Sequence, residues 1–169
     1  MARLDLTLVP DPLLRQVAQP VSDIDDMVRT LLSDMAETMY DAPGIGLAAP
    51  QIGISQRLIV MDCAPDESPP DLWKMINPKI ITRSDDMAKM EEGCLSIPGY
   101  TGEVERPAEV KVQYIDETGD VQEMTATGLL AACVQHEIDH LDGILFTDHL
   151  SRLKRDMIWR KIQKEGRSR

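Results

Sequence analysis

The segment 136–140, HEIDH, constrains this chain more than any other feature, and it holds two of the three histidines in the sequence. Residues four positions apart share a helix face, so His136 and His140 are able to hold one metal ion between them. Glu137 would lie beside that ion, where a carboxylate handles the protons of a bound water. The surrounding helix is apolar on nearly every side, which predicts a central, buried element. Because buried histidines and a buried acid require partners, this setting favours a metal site over two core histidines.

A catalytic site of the zinc type takes a third protein ligand and leaves one position open. In the metzincin proteases that ligand is a histidine six residues after the second histidine of the motif, with a glycine midway. Gly143 matches the glycine, but Phe146 occupies the histidine position. A thermolysin-like site would use a later glutamate, and the only glutamate after Glu137 is Glu165, near the end of the chain. Both alternatives are therefore disfavoured.

A cysteine is the remaining candidate for the third ligand. Cys133 lies one turn before His136 on the same helix face. Ligands from Cys133 to His140 on one straight helix would spread over about 10 Å, which a short cysteine side chain closes poorly. Cys94 lies in a Gly-flanked segment outside this helix and can approach from another element. The sequence thus favours one thiolate and two imidazoles as the ligand set.

The sequence now resembles the peptide deformylase family. The resemblance rests on three motifs in the family's order, GIGLAAPQ at 44–51, EGCLS at 92–96 and HEIDH at 136–140, and it covers nearly the whole chain. The continuous C-terminal helix is similar to that of the bacterial form. The resemblance implies a hydrolase that removes the N-formyl group from the N-terminal formyl-methionine of new polypeptides and releases formate. It also implies one mononuclear ion, usually iron as Fe²⁺ and replaceable by Zn²⁺, Ni²⁺ or Co²⁺, held by Cys94, His136 and His140.

The same resemblance assigns roles around the metal. Glu137 is the general acid and base, and Gln51 and the backbone N–H of Leu95 form the oxyanion hole, where one such donor lowers the barrier by very roughly 3 kcal/mol. Extended edges near Gly44–Gly46 and Gly93 would pair with the peptide backbone, and an apolar pocket would take the methionine side chain. The candidate substrate-binding residues are Ile45, Gly46, Gly93, Leu129, Ala132 and Cys133, with Cys133 as a wall of the pocket. For Ile45 and Leu129, a place in the hydrophobic core is the alternative interpretation.

Several polar residues near the motifs have open interpretations. Some family members carry an arginine shortly after EGCLS, but this chain has Tyr100 and Thr101 there and Arg106 further on. Asp139 is interpreted either as an acid that orients a ligand histidine or as a solvated or salt-bridged acid. His149 has no partner that the sequence identifies, so we expect it to be structural or on the surface.

The order of predicted elements indicates an α+β fold. We expect a short helix within 9–20 and a second helix from Ser22 or Asp23 to about Tyr40. Strands are predicted at 57–63, 75–82, 87–92, 102–106, 109–115 and 121–126, with 87–92 pairing back on 75–82. A helix capped by Thr127 and ended by Gly143 would carry the motif, and a final helix would span about 151–164. We therefore predict antiparallel strands around a central HExxH helix, in one domain over 1–169.

Charge and cysteine usage predict the setting and the partners. The net charge is −11, but residues 150–169 hold eight Lys/Arg and two Asp/Glu, so the remainder has ten basic and 27 acidic residues. An acidic body should bind DNA poorly, whereas the basic tail could dock on the ribosome or simply complement the acidic body. Three cysteines give no complete disulfide framework, and no apolar run approaches a membrane span. We expect a cytoplasmic monomer that acts on N-formylmethionyl peptides without a membrane.

Two other functions compete with this one. A metallopeptidase that cuts internal amide bonds shares the HExxH chemistry, although Phe146 argues against one major class. A binding module held together by a structural metal is the non-enzymatic alternative, but structural sites usually close with a fourth protein ligand. Cleavage of formylated and unformylated peptides would separate these possibilities.

Overall fold

The computed structural model describes residues 2–167, apart from the side chain of Arg167. The described residues contain three α-helices, seven strands and three short 3₁₀ turns. The helices are α1 (Asp26–Asp41), α2 (Gly128–Leu141) and α3 (Arg152–Arg167), and the 3₁₀ turns are Pro12–Arg15, Ala49–Ile52 and Phe146–His149. The strands are β1 (Gly46–Ala48), β2 (Leu58–Asp62), β3 (Leu72–Arg83), β4 (Met87–Cys94), β5 (Ile97–Pro107), β6 (Glu109–Ile115) and β7 (Val121–Thr127).

Five of the strands form one antiparallel sheet in the order β1-β2-β3-β6-β7. In the described residues, β4 and β5 form a separate antiparallel pair. The predicted α+β class with antiparallel strands around the motif helix is confirmed. Among the described helices, none combines the length and the apolar character that crossing a bilayer requires.

Strand β2 organises the core because both of its faces are buried. Leu58 and Val60 join a cluster with the apolar face of α1. Ile59 joins Val134 and Ile138 of α2 in a second cluster. Alternating side chains point to opposite faces of a strand, so the continuous apolar run in β2 requires a helix on each side of the sheet. The central position of α2 follows from this arrangement.

Helix α1 begins where its sequence provides a cap. The Asp25 side chain accepts a hydrogen bond of 3.0 Å from the Val28 amide, which satisfies one of the free N–H groups of the first turn. Leu32, Met35 and Met39 recur at helical spacing and are fully buried. Since α1 ends at Asp41, the chain is free to enter β1 along the edge of the sheet.

The pairing of β4 differs from the prediction. β4 does not pair back on β3; it forms a hairpin with β5 from Met87 opposite Pro107 to Gly93 opposite Thr101. Ile97 and Val104 of β5 pack in a third cluster with Phe146, with Ile158 and Ile162 of α3, and with neighbouring apolar side chains. The inward side chains of β5 thus have their own partners, which is why the hairpin stands apart from the main sheet. This placement carries Cys94 towards α2.

The end of α2 is fixed by a glycine. Gly143 has a φ of +74°, a conformation that side-chain-bearing residues rarely adopt. A Cβ at this position would also collide with the backbone of Arg15. The chain therefore turns sharply two residues after the helix and continues into the 3₁₀ turn Phe146–His149.

Candidate active site

Two elements bring the three candidate ligands together. Cys94 is the last residue of β4, whereas His136 and His140 lie one turn apart on α2. One ligand atom from each residue falls within 4.8 Å of the others, and Cys94 Sγ lies 3.3 Å from His140 Nε2. Metal bonds of about 2.3 Å to sulfur and 2.1 Å to nitrogen, at a tetrahedral angle, would separate those atoms by about 3.6 Å. The donor set and its spacing therefore fit one transition-metal ion.

The imidazoles are held with one nitrogen each towards the centre of this site. His136 Nδ1 lies 2.9 Å from Oε1 of Glu92, which leaves Nε2 for a metal. His140 is buried, and its Nδ1 has no hydrogen-bond partner in the described part of the chain. Burial lowers the pKa of His140 and so keeps its ring neutral, as metal binding requires.

A buried ion pair supports His136 from behind. The guanidinium of Arg106 donates to both carboxylate oxygens of Glu92, at 2.7 and 2.9 Å. Burial alone would raise the pKa of Glu92, but Arg106 and His136 outweigh it and lower that pKa to about 2. Arg106 also donates to Asp139 at 2.9 Å, and Asp139 lies 2.8 Å from His149 Nε2. A chain of contacts thus runs from His136 to the surface.

Glu137 is a buried carboxylate without a strong partner. Its Oε1 has no hydrogen-bond partner within the described residues, and burial raises its pKa to about 7. Gly46 of β1 faces it so closely that a Cβ there would collide with the carboxylate and come within 2.9 Å of Cys133 Sγ. The glycine leaves room beside Glu137 that any side chain would fill.

Gln51 is aimed at the same centre by its own turn. Its Oε1 accepts a hydrogen bond of 2.9 Å from the Ala48 amide, which directs the NH₂ group the other way. Nε2 then lies 3.4 Å from Cys94 Sγ and 3.2 Å from Ser96 Oγ. A fully buried amide donor therefore points into the space beside the three candidate ligands.

A cavity of about 860 Å³ opens onto these groups. It lies between β1 and the end of β4, with α2 as its floor. All the predicted catalytic and substrate-binding residues line it, together with two of the three predicted metal ligands, Cys94 and His136. The catalytic and substrate-binding residues that line the cavity are Ile45, Gly46, Gln51, Gly93, Leu95, Leu129, Ala132, Cys133 and Glu137. The structure thus brings these residues to one place.

Sequence and fold match one family of known proteins. The family model described as polypeptide deformylase matches residues 4–156. The chain belongs to the polypeptide deformylase family. Relatives named peptide deformylase include one from Mesorhizobium japonicum, 55% identical over 94% of this chain and 90% of the relative. Another, from Phenylobacterium zucineum, is 52% identical over 99% of both chains.

Solved structures of deformylases have the same fold as this chain. A peptide deformylase from Legionella pneumophila superposes with a TM-score of 0.90 at 46% identity, over 98% of this chain and 96% of that one. A peptide deformylase from Synechococcus elongatus in complex with actinonin gives a TM-score of 0.87 at 48% identity, over 96% and 89% of the two chains. The predicted family, deformylase-like fold and metallohydrolase class are confirmed.

Sequence reasoning missed the supporting residues of this deformylase. The sequence alone assigns no role to Arg106 and no partner to His149, and it identifies Glu92 only as part of its motif. The alternation of inward and outward residues along β5 predicts that Arg106 is buried. Gly102 and Val104 point inward, and Arg106 shares their face. A buried arginine requires carboxylates, and Glu92 and Asp139 supply them. Asp139 is therefore a salt-bridged acid, and it orients His149 and Arg106 rather than a candidate ligand.

Proposed function

We propose that this chain removes the N-formyl group from the formyl-methionine of new polypeptides by means of one metal ion and one proton-carrying carboxylate. Cys94, His136 and His140 are the ligands, and Glu137 is the general base and acid. The observation that carries this assignment is the approach of three ligand atoms within 4.8 Å beside the buried carboxylate of Glu137. Membership of the deformylase family supports the choice of reaction.

The ion that we propose for the cell is Fe²⁺, with Zn²⁺, Ni²⁺ or Co²⁺ as replacements. One thiolate and two neutral imidazoles form a donor set that suits all of these ions. When bound, such an ion polarises the carbonyl oxygen of the formyl group and lowers the pKa of a water. Three protein ligands leave a position open for that chemistry.

Glu137 moves the proton of the reaction. Its carboxylate takes a proton from the attacking water as the water oxygen bonds to the formyl carbon. The bond between carbon and nitrogen then breaks, Glu137 delivers the proton to the departing nitrogen, and the free amine leaves together with formic acid, which releases its proton to become formate. A pKa of about 7 suits both tasks, because the group accepts and releases a proton near neutral pH.

Gln51 and Leu95 stabilise the charge on the formyl oxygen. The Ala48 N–H holds the Gln51 amide so that its Nε2 faces the site, where it contacts Cys94 Sγ and Ser96 Oγ. One of these two contacts gives way to the formyl oxygen as that oxygen becomes anionic. Leu95 follows Cys94 in the turn between β4 and β5, and its backbone N–H is the second donor. One such donor lowers the barrier by very roughly 3 kcal/mol.

The peptide lies between two strand edges. In the described residues β1 pairs only with β2, and β4 only with β5, so each strand keeps one unpaired edge. Gly46 and Gly93 belong to these strands and line the cavity between them. An extended peptide bonds through its backbone, which accepts many sequences. Leu129, Ala132 and Cys133, with Ile45 opposite, form the apolar pocket for the methionine side chain.

A direct test compares formyl-Met-Ala-Ser with the same peptide lacking the formyl group. Metal-loaded protein should release formate from the first and leave the second intact. Glu137→Gln should reduce formate release by about 10²–10⁴-fold while the metal content stays the same. Glu103→Gln removes the same charge from an exposed position on β5 and serves as the control. Internal cleavage of the unformylated peptide would contradict the proposal and support a metallopeptidase.

We further propose that this protein works as a monomeric single domain in the cytoplasm, near the ribosome where its substrates emerge. All three cysteines are free thiols, which suits a reducing compartment. The basic helix α3 is the docking element, although Ser168 and Arg169 of the predicted tail lie outside the described residues. Exposed lysines of α3 changed to glutamate should reduce co-sedimentation with ribosomes, and unchanged co-sedimentation would contradict docking. The lysines are Lys154, Lys161 and Lys164.

A further inference from the structure

We propose that Cys63 and Cys133 form a reversible disulfide when the protein meets a peroxide, and that this bond alters the pocket for the methionine side chain. Neither thiol takes part in the proposed metal binding or proton transfer. The effect on the pocket rests on the proposed deformylase function, whereas the bond itself does not depend on that function.

Cys63 lies on the face of the main sheet that α2 covers. Side chains alternate along a strand, and Ile59 and Met61 of β2 belong to the core cluster that includes Cys133. Cys63 follows Met61 by two residues, so it shares this face, and it packs against the same cluster. Both thiols are free. Strand β2 and helix α2 therefore bring two cysteines that are distant in the sequence to one place.

A shared backbone contact holds the chain beside Cys63 next to the Cys133 thiol. The N–H of Asp62 donates a hydrogen bond of 2.9 Å to the carbonyl oxygen of Ile45. The thiol of Cys133 donates to the same oxygen, with Sγ 3.6 Å away. The residue directly before Cys63 and the thiol on α2 thus meet at a single carbonyl group, which supports the approach of the two sulfurs.

The two thiols differ in access and in acidity. Cys63 is partly buried, whereas Cys133 is only 6% exposed. A hydrogen bond from Cys133 outweighs burial and lowers the pKa of Cys63. The same contact, together with burial, raises the pKa of Cys133 well above its usual value. Because the thiolate is the reactive form, Cys63 is the sulfur that a peroxide meets first and Cys133 is the sulfur that resolves the product.

The reaction proceeds in two steps. The Cys63 thiolate attacks one oxygen of hydrogen peroxide, the O–O bond breaks, and the second oxygen leaves as hydroxide and takes a proton to become water. The Cys133 sulfur then attacks the sulfenic sulfur of Cys63, the S–O bond breaks, and a second water leaves. Two thiols thus lose two hydrogen atoms, and one peroxide is reduced to two waters. A small dithiol restores both thiols by exchange.

The disulfide changes a wall of the substrate pocket. A bond of about 2.05 Å draws the Cys133 sulfur towards β2 and removes the S–H that the carbonyl of Ile45 accepts. Cys133 lines the cavity, and Ile45 faces it across the pocket for methionine. The candidate metal ligands and Glu137 are not part of the bond. Oxidation should therefore raise KM by about 10-fold, the effect of losing about one methylene of contact, and change kcat less.

The test uses full-length, Ni²⁺-loaded protein that is treated with hydrogen peroxide, alkylated and digested with trypsin. Ni²⁺ is chosen because peroxide oxidises it much less readily than Fe²⁺. Mass spectrometry without reductant should show the peptides of Cys63 and Cys133 linked, with the loss of two hydrogen atoms. KM for formyl-Met-Ala-Ser should rise by about 10-fold, and a small dithiol should reverse both changes.

Cys63→Ser is the matched variant, because serine is similar in size and cannot form the bond. Since Cys63 lies outside the cavity lining, this variant should release formate like the natural chain. Its KM should not rise after treatment with peroxide. In Cys133→Ala the sulfenic acid of Cys63 has no resolving partner, so a dione reagent that traps sulfenic acids should label Cys63.

Several results would overturn the proposal. They are the absence of linked peptides after treatment, a link to Cys94 in place of the expected pair, and a rise in KM that persists in Cys63→Ser. A linked pair with an unchanged KM would refute the effect on the pocket. If the untreated natural chain releases no formate, the proposed function fails, but the linked peptides still decide whether the disulfide forms.

Discussion

The carboxylate of Glu92 lies 2.9 Å from Nδ1 of His136 and links strand β4 to helix α2. This contact fixes the ring so that its other nitrogen faces the candidate metal site. Arg106 holds the same carboxylate through two further hydrogen bonds. Glu92 therefore orients a candidate ligand and is not itself one of the candidate ligands.

Glu92→Gln should weaken metal binding by about 10- to 100-fold, because the amide orients the imidazole less well and makes its nitrogen less basic. Competition with a chromophoric chelator measures this loss. The same change leaves Arg106 with a weakened counter-charge, and breaking a buried pair costs about 3–5 kcal/mol of unfolding free energy. Thermal unfolding of the metal-free protein measures that cost.

A double variant separates the two effects of Glu92. Glu92→Gln combined with Arg106→Met removes the buried cation that has lost one of its two carboxylate partners, since Asp139 remains, and should recover part of the lost stability. Metal affinity should remain low, because the partner of His136 is still changed. Recovery of metal affinity together with stability would show that Glu92 acts on the fold alone.

Gly46→Ala should slow formate release because the new methyl group occupies the space beside Glu137. Its Cβ would collide with the Glu137 carboxylate and approach Cys133 Sγ within 2.9 Å. The candidate ligands are unaffected, so metal content should stay constant while kcat/KM falls by about 10-fold or more, in line with small displacements in active sites. Gly166→Ala, where a Cβ meets nothing within 4 Å, should show no such fall.

Cys94→Ala and Cys133→Ala distinguish the ligand from the pocket wall. Cys94→Ala should lose the metal and all formate release, since two imidazoles alone hold an ion weakly. Cys133 Sγ lies 3.6 Å from the carbonyl oxygen of Ile45, so Cys133→Ala should keep the metal and alter KM. The metal content of each variant, purified without oxygen, shows which cysteine binds the ion. Retention of the metal by Cys94→Ala would transfer the ligand role to Cys133.

Tyr40 and Asp62 predict a loss of stability at alkaline pH. Burial and the hydrogen bond to Asp62, 2.6 Å long, raise the pKa of Tyr40 to about 12. The unfolded chain releases this proton near pH 10, so the stabilisation is complete below about pH 10 and disappears as pH rises towards 12. The difference in unfolding free energy between the natural chain and Tyr40→Phe should therefore shrink over that interval. A difference independent of pH would contradict the linkage.

Local sequence patterns predict much of the site. Helical spacing alone places His136 and His140 on one face. The distance along the helix from Cys133 to His140 disfavours Cys133 as the third ligand. The buried run in β2 was also predicted, because apolar residues without alternation indicate burial on both faces. Such features depend on residues close together in the chain, so the sequence contains them.

Features that depend on distant partners were harder to predict. Residues 9–20 form a 3₁₀ turn at Pro12–Arg15 in place of the predicted short helix, although Asp11 caps it as expected. Three residues of the glycine-rich segment become β1 because the edge of β2 pairs with them. The pairing of β4 with β5, and the contact of Arg106 with Glu92, likewise depend on tertiary packing that no local pattern specifies.

The candidate ligands come from two bodies of the fold: Cys94 from the β4–β5 hairpin, and the two histidines from the helix that lies on the main sheet. An ion held between them acts as a removable cross-link, because it restrains the hairpin against α2 only while it is bound. We therefore expect an ion at this candidate site to stiffen the cavity, and the hairpin should exchange its amide hydrogens faster in metal-free protein than strand β2 does.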